Sequence, residues 1–134
     1  MKPPGSAPLD KTLPAPDPAQ VQVIRTYGPG HFQISNRDWR EPVLVTPRGT
    51  TPWPVARAEE LSAENVMAVR QGAEPAELLV VGCGARAVFV APAVREAVKA
   101  SGLALEVVDT GSACRIYNVL LAEGRRVAAA LIPL

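Results

Sequence analysis

Leu78-Leu79-Val80-Val81-Gly82, the helix-like run from Pro92 to Gly102, Leu105-Glu106-Val107-Val108 and the alanine-rich Val127 to Ile132 together decide the fold. The first is a short, continuous apolar run closing on glycine, the pattern of a strand buried on both faces. Pro92 sits where a helix begins, since the first-turn amide hydrogen it lacks has no intrahelical partner. Behind it, Val94, Ala97, Val98 and Ser101 fall on one face while Arg95, Glu96 and Lys99 fall on the other, and Gly102 ends the run. A second strand over Leu105–Val108 follows. Asp109 or Thr110 then caps a helix reaching Glu123, with Ala113, Tyr117, Leu120 and Leu121 on its apolar stripe and Gly124 as its stop. Strand, helix, strand, helix, strand with short links is the signature of an α/β sheet. The strands flanking the Pro92 helix should run parallel through a right-handed crossover.

Towards the N-terminus the periodicity shortens to two. Val21, Val23 and Arg25 alternate with polar neighbours, Tyr27-Gly28-Pro29-Gly30 reads as a turn, and His31 to Ile34 alternates again. Asn36-Arg37-Asp38 reads as a further turn, Pro42 to Val45 as a third strand and Trp53-Pro54-Val55 as a fourth. Prolines inside these runs point to edges or bulges. Ser62 is the cap of another helix, with Ala63, Val66, Met67 and Arg70 sharing a face and Gly72 at its end. Residues 1–18, with Pro3, Pro4, Pro8, Pro14 and Pro16, carry too little apolar surface to offset ordering and read as a disordered proline-rich tail. Residues 19–134 form one α/β domain on this reading.

The bulk numbers narrow the function. At 134 residues with 48% hydrophobic content, the chain can bury a sufficient core without disulfides. Only 4% of residues are aromatic, so Val, Leu, Ile and Ala must fill that core. The net charge of +1, with Arg125-Arg126 and the scattered Arg37, Arg40 and Arg48 as the main basic positions, argues against nucleic acid as a partner. No apolar stretch reaches the eighteen residues of a membrane span, and the first twenty residues lack a signal-peptide core. Two cysteines make no disulfide framework, so a soluble protein of a reducing compartment, the cytoplasm, is expected.

Gly82-Cys83-Gly84-Ala85-Arg86-Ala87 fits the G-x-G-x-x-A pattern of dinucleotide sites and follows a buried strand. Such a fingerprint opens directly into a helix, whereas here the strand-like Val88-Phe89-Val90-Ala91 intervenes, so a tight glycine turn is the better account. Cys83 lies in that turn and Cys114 in the first turns of the following helix, where the helix N-terminus and Arg115 would favour a thiolate. Against reactivity, a free cysteine commonly packs as a small hydrophobe. His31 is the only histidine, lacks a G-x-S-x-G elbow to serve, and reads as a surface or turn residue. Trp39 and Trp53 read as loop packing or as anchors for a partner. No metal-ligand spacing is present. The richest polar group is Asp109-Thr110-Gly111-Ser112, with Arg115, Tyr117 and Asn118 behind it. It is either a helix cap with Arg115, Asn118 and Ala122 facing water, or, with Gly82, Cys83 and Gly84, one wall of a cleft beyond the carboxyl ends of the strands.

The run Glu106 to Thr110, Ala113, Arg115, Tyr117 to Leu120, Glu123-Gly124-Arg125 and Ala128 to Ile132 resembles the domain of unknown function 498 family, which includes mitochondrial complex I assembly factor three. Tyr27, Phe32 to Ile34, Val43 to Pro47, Trp53, the Ser62 helix and Leu78 to Gly84 follow in the family's order, so the likeness spans about residues 20–134. Ile116 and Cys83 stand where the family commonly carries Thr, which weighs against indispensable chemistry there. The resemblance implies a three-layer α/β/α fold with a central mixed, partly parallel sheet of about five strands, and no catalytic residue or cofactor. It also implies a protein partner, a membrane-complex subunit among the choices.

Three readings follow. The first is a non-enzymatic binding or assembly protein related to respiratory complex I assembly factors. The second is a small-molecule binder or enzyme using the cleft at Gly82–Gly84 and Asp109–Arg115. The third is a thiol redox protein using Cys83 and Cys114.

Overall fold

The computed structural model describes residues 21–66 and 76–134. Residues 1–20, including the proline-rich stretch, lie outside the described part, as do Met67, Arg70 and Gly72 of the helix that Ser62 begins. Strands β1 (Ile24–Gly28), β2 (His31–Ile34) and β3 (Arg37–Trp39) form a three-stranded antiparallel sheet. Strands β4 (Val43–Thr46), β5 (Gly49–Pro52), β6 (Leu78–Gly82), β7 (Ala104–Val108) and β8 (Val127–Leu131) form a five-stranded sheet in the order β5-β4-β8-β6-β7. Helix α1 (Pro92–Ala100) links β6 to β7, and α2 (Thr110–Ala122) links β7 to β8. Because each crossover passes through a helix, β6 pairs in parallel with both β7 and β8. The β4–β5 hairpin adds antiparallel pairing on the other side of β8, so the sheet is mixed.

Strand β8 is the centre, and all five of its residues are buried. Side-chain alternation sends Ala128 and Ala130 to one face, with Leu79, Val81, Val98, Trp53, Val55 and Val66. Val127, Ala129 and Leu131 go to the other face, with Val80, Val43, Val45, Phe32, Ile34 and Tyr117. The first outer layer holds α1 and the helical residues 63–66; the second holds α2 together with the small sheet. The fold is therefore a three-layer α/β fold, one outer layer being part helix and part antiparallel sheet. Ser62 caps as expected: its Oγ accepts from the Asn65 amide at 3.2 Å, and Asn65 Oδ1 accepts from the Ser62 amide at 2.9 Å.

The N-terminal reading needs correction in detail. Strand β1 begins at Ile24, the buried residue, rather than at Val21. Arg37 and Asp38 belong to β3, and the turn lies at Ser35, which adopts φ 53°. That left-handed backbone is held by local bonds: Ser35 Oγ donates to the Val21 carbonyl at 2.7 Å and the Ser35 amide to the Val23 carbonyl at 2.8 Å. The strand after β4 is Gly49–Pro52, because Thr46 Oγ1 closes the intervening turn by accepting from the Gly49 amide at 3.2 Å. Trp53 and Val55 form no strand; they insert into the core instead. Val88 to Ala91 is also not a strand. It runs beyond the end of the sheet, and Phe89 is 82% exposed.

Candidate functional site

The glycine turn and the polar start of α2 meet at the carboxyl ends of β6, β7 and β8. Asp109 is the N-cap of α2, and its Oδ2 accepts from the Ser112 amide at 3.0 Å. Hydrogen bonds from the Ser112 side chain and backbone, with a smaller pull from Arg115, hold the Asp109 carboxyl below the usual carboxylate range. Thr110 is fully buried. Its hydroxyl accepts from the Gly84 amide at 2.8 Å and donates to the Ile132 carbonyl at 2.6 Å, and its own amide donates to the Gly84 carbonyl at 2.9 Å. Cys83 donates its amide to the Val108 carbonyl at 2.9 Å, and Ile132 donates to the Gly82 carbonyl at 3.0 Å. Three strand ends and one helix start are thus tied through Thr110.

This geometry explains the glycines. A Cβ on Gly82 would lie 2.9 Å from both Cα and Oγ1 of Thr110 and 3.1 Å from Ala113 Cβ. The start of helix α2 thus packs directly against the Gly82 backbone. Gly84 has φ +96°, a backbone that side chains rarely adopt. The G-x-G-x-x-A match therefore reflects close approach of a helix belonging to the next crossover.

Of the other residues in the sequence-level cleft, Arg115 is exposed, donating from Nη1 to the Tyr27 hydroxyl at 2.6 Å and from Nη2 to Ser112 Oγ at 3.2 Å. Tyr27 lies over Gly111, where a Cβ would meet its ring at 3.3 Å. Tyr117 is buried and donates to the Gln22 carbonyl at 2.8 Å. Asn118 is half-buried, with its side-chain amide engaged by β1. Its Oδ1 accepts from the Ile24 amide at 3.0 Å and its Nδ2 donates to the Ile24 carbonyl at 2.8 Å, clamping β1 to the helix. The sequence offers no cue for that pairing, which bridges residues far apart in the chain.

Both thiols are free and buried. Cys83 packs with the α1 side of the sheet and Cys114 with the α2 side, in different core layers. Burial raises the pKa of Cys83, and it pushes Cys114 up to about 12, outweighing the opposing pull of Arg115. His31 lies in the β1–β2 turn region, its ring against Gly28 and its Nδ1 3.4 Å from the Pro29 carbonyl. Trp39 and Trp53 are buried at 6% and 4% exposure, so neither presents a surface anchor. Arg37 stacks over the Trp39 ring at 4.1 Å, and Trp53 Nε1 donates to the Asn65 carbonyl at 3.3 Å. Among the described residues no group of three or more His, Cys, Asp or Glu side chains could hold a metal ion.

A hollow of about 260 Å³ lies at the opposite end of the sheet. Val127 and Ala128 line it at the start of β8, Val21 and Leu121 flank it, and Arg48, Arg125 and Arg126 border it. A glycine-ended cap sets the last two arginines. Gly124 takes φ +79°, its amide donates to the Leu121 carbonyl at 3.0 Å and the Arg125 amide to the Leu120 carbonyl at 3.0 Å. Arg48 arrives from the β4–β5 turn. The sequence names these arginines but gives no sign that they converge.

Residues 24–132 match the family described as "Protein of unknown function (DUF498/DUF598)". The chain belongs to this family. It is 36% identical over 111 residues to an uncharacterised protein of Rhodobacter capsulatus, covering 83% of this chain and 84% of that one. It is 33% identical over 117 residues to a Xenopus tropicalis protein named NADH dehydrogenase [ubiquinone] 1 alpha subcomplex assembly factor 3. That match covers 87% of this chain but 64% of the Xenopus protein, so the chain spans under two thirds of its relative's length. A crystal structure of a Bordetella parapertussis protein superposes with a TM-score of 0.81 at 31% identity, covering 88% of this chain and all of the other. The DUF498/DUF598 match takes in β1 to β8 and thus both outer layers, with the Thr110 joint and the arginine-bordered hollow inside it or at its edges.

Proposed function

We propose that this DUF498/DUF598 chain is a non-enzymatic, protein-binding assembly factor that works on a membrane respiratory complex of the NADH:ubiquinone oxidoreductase type from the cytoplasmic side. The observation that carries the reading is the 33% identity to a protein named as such a factor, extending over 87% of this chain. The site geometry supports it. The polar groups at the strand ends are engaged in bonds that hold the fold, and both thiols are protonated at neutral pH because burial raises their pKa. No helix of the described residues is long and apolar enough to cross a membrane, so contact with a membrane complex would be made through its subunits.

The test is genetic and biochemical. Deleting the gene in its own host should lower the amount of assembled NADH:quinone oxidoreductase on native gels and let partial assemblies accumulate, with recovery on re-expression of the full chain. Normal amounts of the mature complex in the deletion strain would overturn the reading.

A further inference from the structure

The chain has two phenylalanines, and the fold treats them in opposite ways. Phe32 is fully buried in the core, whereas Phe89 is 82% exposed. A lone exposed apolar side chain needs no explanation. Phe89 is not alone: the exposed residues of the segment 85–93 are all alanine, proline or phenylalanine apart from Arg86. Nor is the ring loose on its backbone. On one side Val88 packs against the α1-side core, and on the other Val90 is buried at 4% exposure, so the two neighbours turn inward and aim Phe89 out. Both ends of the segment are held as well. Gly84 is bonded twice to Thr110, at 2.8 and 2.9 Å, and the Ala91 carbonyl accepts from the Val94 and Arg95 amides at 3.0 and 3.2 Å. A projecting aromatic fixed in this way loses little freedom on binding, which is how interface anchors gain affinity.

The charge around it has a sign. Residues 84–103 carry Arg86, Arg95 and Lys99 against Glu96 alone, on a chain whose net charge is +1. All four are exposed, and the side chains of Arg86 and Arg95 make no hydrogen bond or ion pair among the described residues.

We propose that Phe89 is the anchor by which the chain docks on its client, a water-facing subunit of the respiratory complex that offers an apolar pocket bordered by carboxylates. This rests on the assembly reading and names the surface it uses. The ring fills the pocket, the flanking alanines allow close approach, and Arg86 and Arg95 meet the acidic rim.

The experiment expresses full-length variants in the deletion strain. With benzoylphenylalanine in place of Phe89, irradiation should crosslink the chain to a subunit of the NADH:quinone oxidoreductase, identified by mass spectrometry. Adding Arg86→Glu/Arg95→Glu should lower that crosslink at least about fivefold, because like charges would then face each other. Phe89→Ser should keep the melting temperature within about 2 °C of the parent, yet restore less than about a third of the mature complex that the parent restores. The proposal is overturned if Phe89→Ser restores the complex fully, if charge reversal leaves the crosslink unchanged, or if the crosslink falls on a second copy of this chain or on no subunit of the complex. If the deletion strain lacks the complex and Phe89→Ser restores it, the anchor fails and the assembly reading stands. If the deletion strain assembles the complex normally, both fail.

Discussion

At the carboxyl ends of β6, β7 and β8 the chain concentrates glycines, a cysteine, an N-capping aspartate and a buried threonine; at the other end of the same sheet it leaves an apolar hollow edged by three arginines. The first end carries almost every motif that chemistry could use, yet its groups are bonded to one another. Gly82 makes room for α2, Thr110 joins Gly84 to Ile132, and Asp109 caps the helix that follows. The second end carries no motif, and Arg126 there is paired with Glu77 at 3.7 Å. Motif density therefore marks where the backbone is most constrained, and the unfilled space of the arginine rim lies elsewhere.

The contrast breaks most readily at Thr110. Thr110→Val keeps the shape but strands the buried Gly84 amide and Ile132 carbonyl, and should cost about 2–5 kcal/mol in denaturant melts. Thr110→Ser, which keeps the hydroxyl, should recover most of that loss. A valine variant as stable as the parent would mean that the joint is not what holds the strand ends. Gly82→Ala comes next. Its new Cβ meets the Thr110 backbone and Ala113, so overpacking of about 1–3 kcal/mol is expected, and a ligand-binding glycine would show little change in stability.

A pH titration sharpens the same point. The folded pKa of Cys114 is raised from 9.0 to about 12, so its contribution is fully present below pH 9 and is lost as pH rises towards 12. Cys114→Ala should flatten part of the stability loss over that window. An unchanged alkaline limb would show that the thiol is not held protonated by the fold. At the opposite end, Arg125→Glu should change stability by no more than about 0.5 kcal/mol, because an exposed charge away from the joint supports little of the fold. A larger loss would make that arginine a structural cap rather than part of an open rim.

Much of the architecture was legible because its signals are local. The apolar run at Leu78–Val81, Pro92 at the start of α1 and Gly124 after α2 each announce an element within a few residues. The errors fall where neighbours distant in sequence decide. Phe89 sits in an apolar stretch that would be a strand if an edge lay beside it, but the stretch passes beyond the sheet. Trp53 follows a strand whose length is set by the Thr46 turn. The candidate cleft was legible as a place and not as a function. Gly82, Asp109 and Thr110 do converge, but only coordinates show that Thr110 bonds both Gly84 and Ile132. Asn118 looked solvent-facing from its spacing with Arg115, because its partner Ile24 lies on another sheet. The arginine rim was illegible because Arg48 meets Arg125 only through the fold.

Hydrogen exchange at the Gly84 amide tests the closed nature of the strand-end joint most directly, since that proton is donated to Thr110 Oγ1 at 2.8 Å. If the motif-rich end is a structural joint, this amide exchanges as slowly as those of β8, opening only with the core. Exchange at the rate of an exposed loop would contradict the account and restore the strand ends as an accessible cleft.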